Sequence, residues 1–253
     1  MPDPIRIVVT RTPDQAGAFS QKLEQAGFVP VEFPAIMLHP LPPEPLESAL
    51  AELDTFDWLI FTSGNAVDFF FNGRHIFPDQ LPNVAASGSA TAEKLAALGI
   101  TVAFVPEEFV GEKLVTGLGK LAGKRILLPR AQKGRPEIVR LLAQQGANVV
   151  EVPLYDTVTA VPTPAQWQTI AQGFEAVTFT SPSSVRNFLK LVASRPEVQQ
   201  WLETAVIVCI GPITAETAVS NGLTTIRMPN EYTTDGIVTE LTRYFKVKEE
   251  ANN

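Results

Sequence analysis

The sequence WLIFTS at residues 58–63 is repeated as AVTFTS at residues 176–181, and this repeat indicates how the chain is organised. The shared Phe-Thr-Ser lies 118 residues apart (179 − 61). An amphipathic stretch follows each copy and places valine and phenylalanine at matching positions, which are Val67 and Phe70 against Val185 and Phe188. Self-similarity at a fixed offset indicates that the chain contains two copies of one structural unit.

Two further segments repeat at nearly the same offset. GSATA at 88–92 matches GPITA at 211–215, and VTR at 9–11 matches LPR at 128–130. Their offsets are 123 residues (211 − 88) and 119 residues (130 − 11). The first arginine segment opens the chain, whereas the second follows both other segments of the first copy. The two copies therefore interleave along the chain.

Short apolar runs alternate with helical patterns along the whole sequence, which favours parallel sheets covered on both faces. We predict ten strands, at Ile5–Thr10, Val29–Phe33, Trp58–Thr62, Val84–Ser87, Thr101–Val105, Arg125–Leu128, Asn148–Val152, Ala176–Thr180, Val206–Ile210 and Thr225–Met228. Five strands for each copy fit a flavodoxin-like, doubly wound α/β sheet of strand order 2-1-3-4-5.

The order of the repeats predicts the domain boundaries. Two complete sheets form only if the first two strands join the last three. We therefore expect a discontinuous α/β domain of residues 1–34 and 159–253, with a second α/β domain of residues 41–151 inserted into it. Residues 35–40 and 152–158, beside proline-rich sequence, are then extended linkers. Two strand-like linkers predict a hinge, with a ligand cleft between the domains.

Composition excludes several classes of protein. The net charge of -7 argues against general nucleic-acid binding. Neither a Gly-x-Gly-x-x-Gly nor a P-loop motif is present, and two histidines and one cysteine without close spacing predict no metal site.

The sequence shows no signal peptide and no apolar run long enough for a membrane span. We expect a cytoplasmic protein, or a stromal one if a plastid transit peptide has been removed.

Candidate ligand-binding residues follow the predicted strands, where helix N-termini offer free N–H groups and partial positive charge to an anion. They are two serines, two glycines and two first-turn threonines, namely Ser63, Ser181, Gly88, Gly211, Thr91 and Thr214. In a doubly wound sheet these turns share the carboxyl edge, where ligands bind. The same residues cap helices in any α/β protein, and a duplicated fold would copy its caps.

Three other side chains are candidates. Arg11 and Arg130 occupy equivalent strand ends. There each guanidinium could bind a carboxylate of a ligand through two hydrogen bonds, or could form a surface ion pair. Tyr155, in the second linker, could donate a proton or could simply be a packing aromatic. The spacing alone favours packing.

The chain resembles the uroporphyrinogen-III synthase family over nearly its whole length. The order and spacing of five elements carry the resemblance, which are Phe61-Thr62-Ser63, Gly88-x-x-Thr91-Ala92, Val152-x-x-Tyr155-x-Thr157, Phe179-Thr180-Ser181-Pro182-Ser183 and Ile210-Gly211-Pro212-x-Thr214-Ala215. The resemblance implies two flavodoxin-like domains on a two-stranded linker. It also implies a cofactor-free, cyclising hydro-lyase of tetrapyrrole biosynthesis.

The family's substrate is hydroxymethylbilane, a linear tetrapyrrole with eight carboxylates. The resemblance implies loss of water, closure through a spiro intermediate and inversion of ring D, giving uroporphyrinogen III. It makes Tyr155 the candidate general acid. The substrate-binding set becomes Arg11, Ser63, Gly88, Thr91, Arg130, Ser181, Ser183, Gly211 and Thr214. We expect a monomer that associates transiently with hydroxymethylbilane synthase and does not bind nucleic acid or membrane.

Two alternatives stay open from the residues alone. A two-domain binding protein for a polyanionic small molecule shares the domain plan, although the periplasmic type needs a signal peptide. A glycosyltransferase-like enzyme could hold a nucleotide sugar between two α/β domains, but such domains are usually larger.

Overall fold

The computed structural model describes residues 4–74, 76–107, 111–134 and 136–252, with side chains up to Val247. Its contacts divide the chain into two compact units. The discontinuous unit contains the chain up to Leu38 and from Val158 onward, and the inserted unit is His39–Thr157.

The strands of the described residues, in chain order, are β1 (Arg6–Val9), β2 (Val29–Glu32), β3 (Ile36–Pro40), β4 (Trp58–Phe61), β5 (Asn83–Ala86), β6 (Arg125–Ala131), β7 (Asn148–Thr159), β8 (Ala176–Phe179), β9 (Val206–Cys209) and β10 (Ile226–Arg227). The α-helices are α1 (Pro13–Gln25), α2 (Glu44–Ala51), α3 (Gly64–Phe71), α4 (Ser89–Ala97), α5 (Gly111–Gly117), α6 (Glu137–Gln144), α7 (Pro164–Ala171), α8 (Pro182–Val192), α9 (Pro196–Thr204), α10 (Pro212–Ser220) and α11 (Thr234–Asn252).

The discontinuous unit contains a sheet of order β10-β9-β8-β1-β2, and every neighbouring pair of strands is parallel. Numbered within the repeat, this is the doubly wound order 2-1-3-4-5 read from the other edge. The first two strands of the chain therefore do pair with the last three.

The inserted unit contains a sheet of order β3-β7-β6-β4-β5. Strands β7, β6, β4 and β5 are parallel in the same doubly wound order. The two predicted parallel, doubly wound sheets are thus confirmed.

The strand predicted at Thr101–Val105 is wrong. The structure has only a single parallel bridge there, between Ala85 and Phe104. Two backbone hydrogen bonds hold it, from Ala103 N to Val84 O (2.8 Å) and from Ala86 N to Phe104 O (3.1 Å). The segment then reaches Pro106, which has no N–H with which to extend the ladder.

The segments predicted as linkers are strands of this sheet. Residues 35–40 coincide with β3, and residues 152–158 form the second half of β7, which is 12 residues long. Leu41 N donates to Leu154 O at 3.0 Å, and Ala160 N donates to Ala35 O at 3.1 Å. The backbone of both segments is extended. These two hydrogen bonds pair β3 with β7 in the antiparallel direction, so the fifth strand of the inserted sheet runs against the four parallel ones.

Alternating side chains of the discontinuous sheet enter two separate cores, as the two-residue period of a strand requires. In β1, Ile7 and Val9 pack with Phe19 and Leu23 of α1 and with residues of α11. Val8 faces the opposite way, into a core that also contains Phe188 of α8. Helices therefore cover both faces, and every residue of β8 and β9 is buried.

Aromatic contacts fix helix α8 against this sheet. The ring of Phe188 lies 5.5 Å from that of Phe179 in β8 and 5.9 Å from that of Phe33, both at steep interplanar angles. Trp167 of α7 meets Phe33 edge-on at 4.8 Å. Edge-to-face geometry suits the quadrupoles of aromatic rings, so this cluster positions the start of α8 as well as its middle.

Replacing Phe188 with alanine should lower the free energy of unfolding by roughly 3–5 kcal/mol, since it leaves a cavity among fully buried rings. Urea denaturation of purified protein measures this change. Val161→Ala is the matched control, because Val161 is 85% exposed and its truncation should stay within about 0.5 kcal/mol. A loss below about 1 kcal/mol for Phe188→Ala would contradict the proposed packing.

Candidate active site

The predicted site residues of the discontinuous unit lie at the carboxyl ends of three adjacent strands. Arg11 follows β1, Ser181 follows β8 and Gly211 follows β9. Strand order reverses between β1 and β8, so Arg11 and Ser181 flank the topological switch point of this sheet. Open α/β sheets bind their ligands in the crevice at that point.

The turn at Ser181 is closely hydrogen-bonded. The Ser181 Oγ accepts from the backbone N of Ser184 at 3.1 Å, and Ser181 N donates to the Ser184 Oγ at 3.2 Å. The hydroxyls of Ser181 and Ser183 lie 3.1 Å apart. Ser181 is therefore the N-cap of α8, as the capping interpretation predicted, and Ser183 adds a second hydroxyl to the same turn.

The N-terminal turn of α8 is also tied to strand β7. Thr159 Oγ1 donates to Asn187 Oδ1 at 2.5 Å, and Asn187 Nδ2 donates to Ser183 O at 2.8 Å. Asn187 therefore links the end of the second linker strand to the turn that carries Ser181 and Ser183.

Gly211 begins α10 without a side-chain cap, and Pro212 occupies the first helical position. Thr214, in the first turn, is buried. Because the first N–H groups of a helix have no partner within it, and Gly211 has no side chain to cover them, this end of α10 can accept an anion.

Arg11 is half-buried and incompletely paired. Its Nη2 donates to Gln15 Oε1 at 2.8 Å, but its buried Nε has no hydrogen-bond partner within the part of the chain that the structure describes. Burial lowers the pKa of this guanidinium. A buried donor left unpaired costs about 1–3 kcal/mol, and an incoming carboxylate would remove that cost.

In the inserted unit, four predicted residues lie along four adjacent strands. Tyr155 is in β7, Arg130 is in β6, Ser63 follows β4 and Gly88 follows β5. Here Arg130 and Ser63 flank the reversal of strand order. The buried Thr91 lies in the first turn of α4, directly after Gly88.

The Tyr155 hydroxyl lies at the N-terminus of α3. It is 3.2 Å from the Ser63 Oγ, and the Asn65 side chain is also a hydrogen-bond partner. The Ser63 Oγ accepts from Ala66 N at 3.2 Å, so Ser63 caps α3 while it contacts the phenol. The Phe69 ring stacks on the Tyr155 ring at 4.8 Å. The side chain is thus both a packing aromatic and a hydrogen-bonded phenol.

The environment of Tyr155 keeps its phenol protonated at neutral pH. Burial raises its pKa above the ordinary value of 10.0. The hydrogen bonds from Ser63 and Asn65 and the positive charge of Arg130 act in the opposite direction and offset part of this rise. The same groups would stabilise the phenolate if the proton were transferred to a ligand.

Arg130 is buried, and neighbouring residues pack tightly around its guanidinium. Its Nη1 donates to Glu151 Oε2 at 3.1 Å. A Cβ on Gly134 would lie 1.9 Å from its Nη2, so only glycine leaves room for the guanidinium at that place. The pairing of β6 with β7 is irregular after Arg130, since Arg130 lies opposite Pro153 and Ala131 opposite Tyr155. Such a bulge re-aims neighbouring side chains.

Sequence reasoning missed several neighbours of Tyr155. Asn65 and Phe69 contact it directly, and Asp68 raises its pKa while forming an ion pair with Lys94 of α4. The repeat could have revealed Asn65, which corresponds to Ser183 at the offset of 118 residues. The repeat gives no comparable indication for Asp68 or Phe69.

Among the residues that the structure describes, no cluster of three or more histidine, cysteine, aspartate or glutamate side chains could hold a metal ion. Cys209 is fully buried in β9, where desolvation raises its pKa to about 12. None of the described helices has the length and apolar character required to cross a membrane.

Two doubly wound sheets with capped turns and arginines at their carboxyl edges define an α/β protein equipped to bind an anionic ligand. A family model described as uroporphyrinogen-III synthase HemD matches residues 17–239. The chain therefore belongs to the uroporphyrinogen-III synthase family.

Individual relatives agree with this assignment. A uroporphyrinogen-III synthase of Synechococcus elongatus is 34% identical over 245 residues, covering 92% of each chain. A solved uroporphyrinogen III synthase from Thermus thermophilus superposes with a TM-score of 0.64 at 17% identity, over 96% of this chain and 99% of that one. The Helicobacter pylori enzyme gives 0.62 at 18% identity over the same shares. These structures support the fold, and the family match favours a ring-closing enzyme over the two alternatives.

The raised pKa of Tyr155 can be tested by titration. We expect the phenolate absorbance that is lost in Tyr155→Phe to develop with a midpoint above pH 10.0, because burial disfavours the charged form. Circular dichroism at each pH verifies that the protein remains folded. The sign also predicts a stability contribution from Tyr155 that is complete below its unfolded-state pKa and is lost as pH rises through the folded value. A difference spectrum with its midpoint below pH 10.0 would contradict the raised pKa.

Proposed function

We propose that this protein closes hydroxymethylbilane to uroporphyrinogen III, with loss of water and inversion of ring D. Family membership gives the reaction class, a cyclising hydro-lyase of tetrapyrrole biosynthesis. One observation carries the mechanism: the buried Tyr155 hydroxyl lies 3.2 Å from Ser63 at the N-terminus of α3, beside Arg130. A protonated acid thus adjoins two groups that favour anions.

The first chemical step requires an acid. Hydroxide leaves the terminal hydroxymethyl carbon far more easily if it takes up a proton as the C–O bond breaks. In our proposal Tyr155 donates that proton, so that water leaves and the bilane becomes a protonated azafulvene cation. The resulting phenolate would be stabilised by hydrogen bonds from Ser63 and Asn65 and by the charge of Arg130. A proton released when the closed ring regains its aromatic pyrroles balances the cycle.

The second requirement is control of geometry. Without steering, the bilane closes to the uninverted isomer, so the enzyme must hold the chain in the conformation that favours the inverting attack. The eight carboxylates of the substrate are the groups through which the protein can bind and orient it. This explains why an acidic protein, with a net charge of -7, needs local anion-binding groups rather than a basic surface.

We assign carboxylate binding to both carboxyl edges. Arg11 would complete its hydrogen bonding through its unpaired Nε, while Arg130 would add a second buried cation. The helix N-termini would supply backbone N–H groups. The polar and glycine residues that form these turns are Ser63, Gly88, Thr91, Ser181, Ser183, Gly211 and Thr214.

The unstable substrate suggests how the enzyme is supplied. We propose a cytoplasmic monomer that receives hydroxymethylbilane during transient association with hydroxymethylbilane synthase. Size-exclusion chromatography of the two proteins, alone and mixed, tests the monomer and the association together.

A coupled assay tests the reaction. Porphobilinogen and its deaminase supply the substrate, and uroporphyrin isomers I and III are separated by chromatography after oxidation. We expect isomer III to predominate, in proportion to the amount of this protein added. Only isomer I in the presence of folded protein would overturn the proposal.

The role of Tyr155 is tested by removing its hydroxyl alone. Tyr155→Phe should keep the stacking on Phe69 and lower kcat by about 100-fold, the contribution typical of a general acid. Tyr244→Phe is the matched control, since Tyr244 packs against Phe245 of α11, far along the chain from Ser63. If both variants turn over at the wild-type rate, Tyr155 is not the acid.

A further inference from the structure

An exposed aromatic ring covers one of the anion-binding turns. Tyr232 lies in the turn between β10 and α11, at the carboxyl edge of the discontinuous sheet. A Cβ placed on Gly211 would meet the Cγ, Cδ1 and Cδ2 of Tyr232 at 3.5–3.7 Å. Three ring atoms at similar distances indicate that the ring faces the glycine. The residue nevertheless remains 55% exposed.

The turn that carries Tyr232 is tightly built. Thr233 N donates to Glu231 O at 2.8 Å, and Gly236 N donates to Thr233 Oγ1 at 3.0 Å. A Cβ on Gly236 would lie 2.1 Å from Glu231 O, so glycine is required for this close approach. These contacts fix the backbone on either side of Tyr232, which reduces the ordering cost of a ligand contact made by its ring.

The internal repeat places an aromatic residue at the same distance from the matching glycine in each copy. Tyr232 follows Gly211 by 21 residues (232 − 211), and Phe109 follows Gly88 by 21 residues (109 − 88). Phe109 lies outside the described residues, so the comparison is one of sequence alone. Because phenylalanine has no hydroxyl, the chemistry that the two copies share is that of an aromatic ring.

The surroundings of Tyr232 suit a ligand that combines flat rings with carboxylates. The N-terminus of α10, at Gly211, favours a carboxylate, while the neighbouring Tyr232 ring and the half-exposed Ile213 side chain offer apolar contact. A pyrrole bearing carboxylate side chains presents both features. An aromatic face binds another aromatic ring by offset stacking.

We propose that Tyr232 is a substrate-positioning residue, on whose ring one pyrrole of the tetrapyrrole stacks while its carboxylate binds the adjacent end of α10. The inference rests on the proposed function and deepens it, since it names a contact for the ring system rather than for the charges. The ring, not the hydroxyl, makes the contact.

Three substitutions at Tyr232 test this contact. Tyr232→Phe should behave like wild type, whereas Tyr232→Ala and Tyr232→Leu should raise KM for hydroxymethylbilane roughly three- to tenfold, the effect of losing one aromatic contact. Their kcat should change less than KM. Phe77→Ala is the matched control, because Phe77 is 63% exposed and precedes the amino end of β5 rather than following its carboxyl end.

Binding of uroporphyrin III, followed by porphyrin fluorescence, provides a readout that does not depend on turnover. We expect the affinities for uroporphyrin III to follow the same order, with Tyr232→Phe close to wild type and the alanine and leucine variants binding more weakly. Unchanged affinity and KM in the alanine variant would overturn the proposal, as would equal losses in the phenylalanine and alanine variants. Thermal unfolding of each variant identifies any folding defect, and the leucine variant retains apolar cover over Gly211. Failure of the wild type to form isomer III would refute the proposed function instead.

Discussion

The polarity of a parallel sheet is the constraint on which this structure depends. When strands run in one direction and helices return antiparallel to them, every strand ends, and every following helix begins, at the same edge. That edge then gathers the positive ends of the helix dipoles and the unpaired N–H groups of several helices. In this chain the gathering happens twice, at β8 and β9 in one unit and at β4 and β5 in the other. These edges thereby gain partial positive charge from the backbone in a protein whose net charge is -7.

Buried side chains add charged and proton-donating groups to the backbone N–H groups of these edges. Arg11 has a buried Nε without a partner among the described groups, and Arg130 fits only because Gly134 has no side chain. Burial also raises the pKa of the Tyr155 phenol, whereas hydrogen bonds from Ser63 and Asn65 would stabilise its phenolate. The two arginines and the tyrosine belong to strands or their immediate ends, so the sheets hold them rigidly. Selective ring closure needs this rigidity, because it must exclude a competing closure that requires no catalyst.

The repeat made most of the fold predictable from sequence, since three matching segments in interleaved order dictate how strands must combine. It could not predict that residues 101–105 form only a bridge while residues 36–40 complete the sheet, because both segments are short and extended. The capping of helices by Ser63 and Ser181 was predictable from the serine side chains and their repeat position. The stacking of Phe69 on Tyr155 and the ion pair of Asp68 with Lys94 were not, because helix α3 brings them to β7 and α4 only through tertiary packing.

We propose that helix N-termini at the carboxyl edges hold carboxylates of the tetrapyrrole. Amide chemical shifts measured by NMR during titration with uroporphyrin III test it most directly. We expect the largest changes on the first-turn amides of α3, α4, α8 and α10 and on the side chain of Arg11. Changes confined to the amino edges of the sheets, or saturable binding that leaves those amides unmoved, would contradict it.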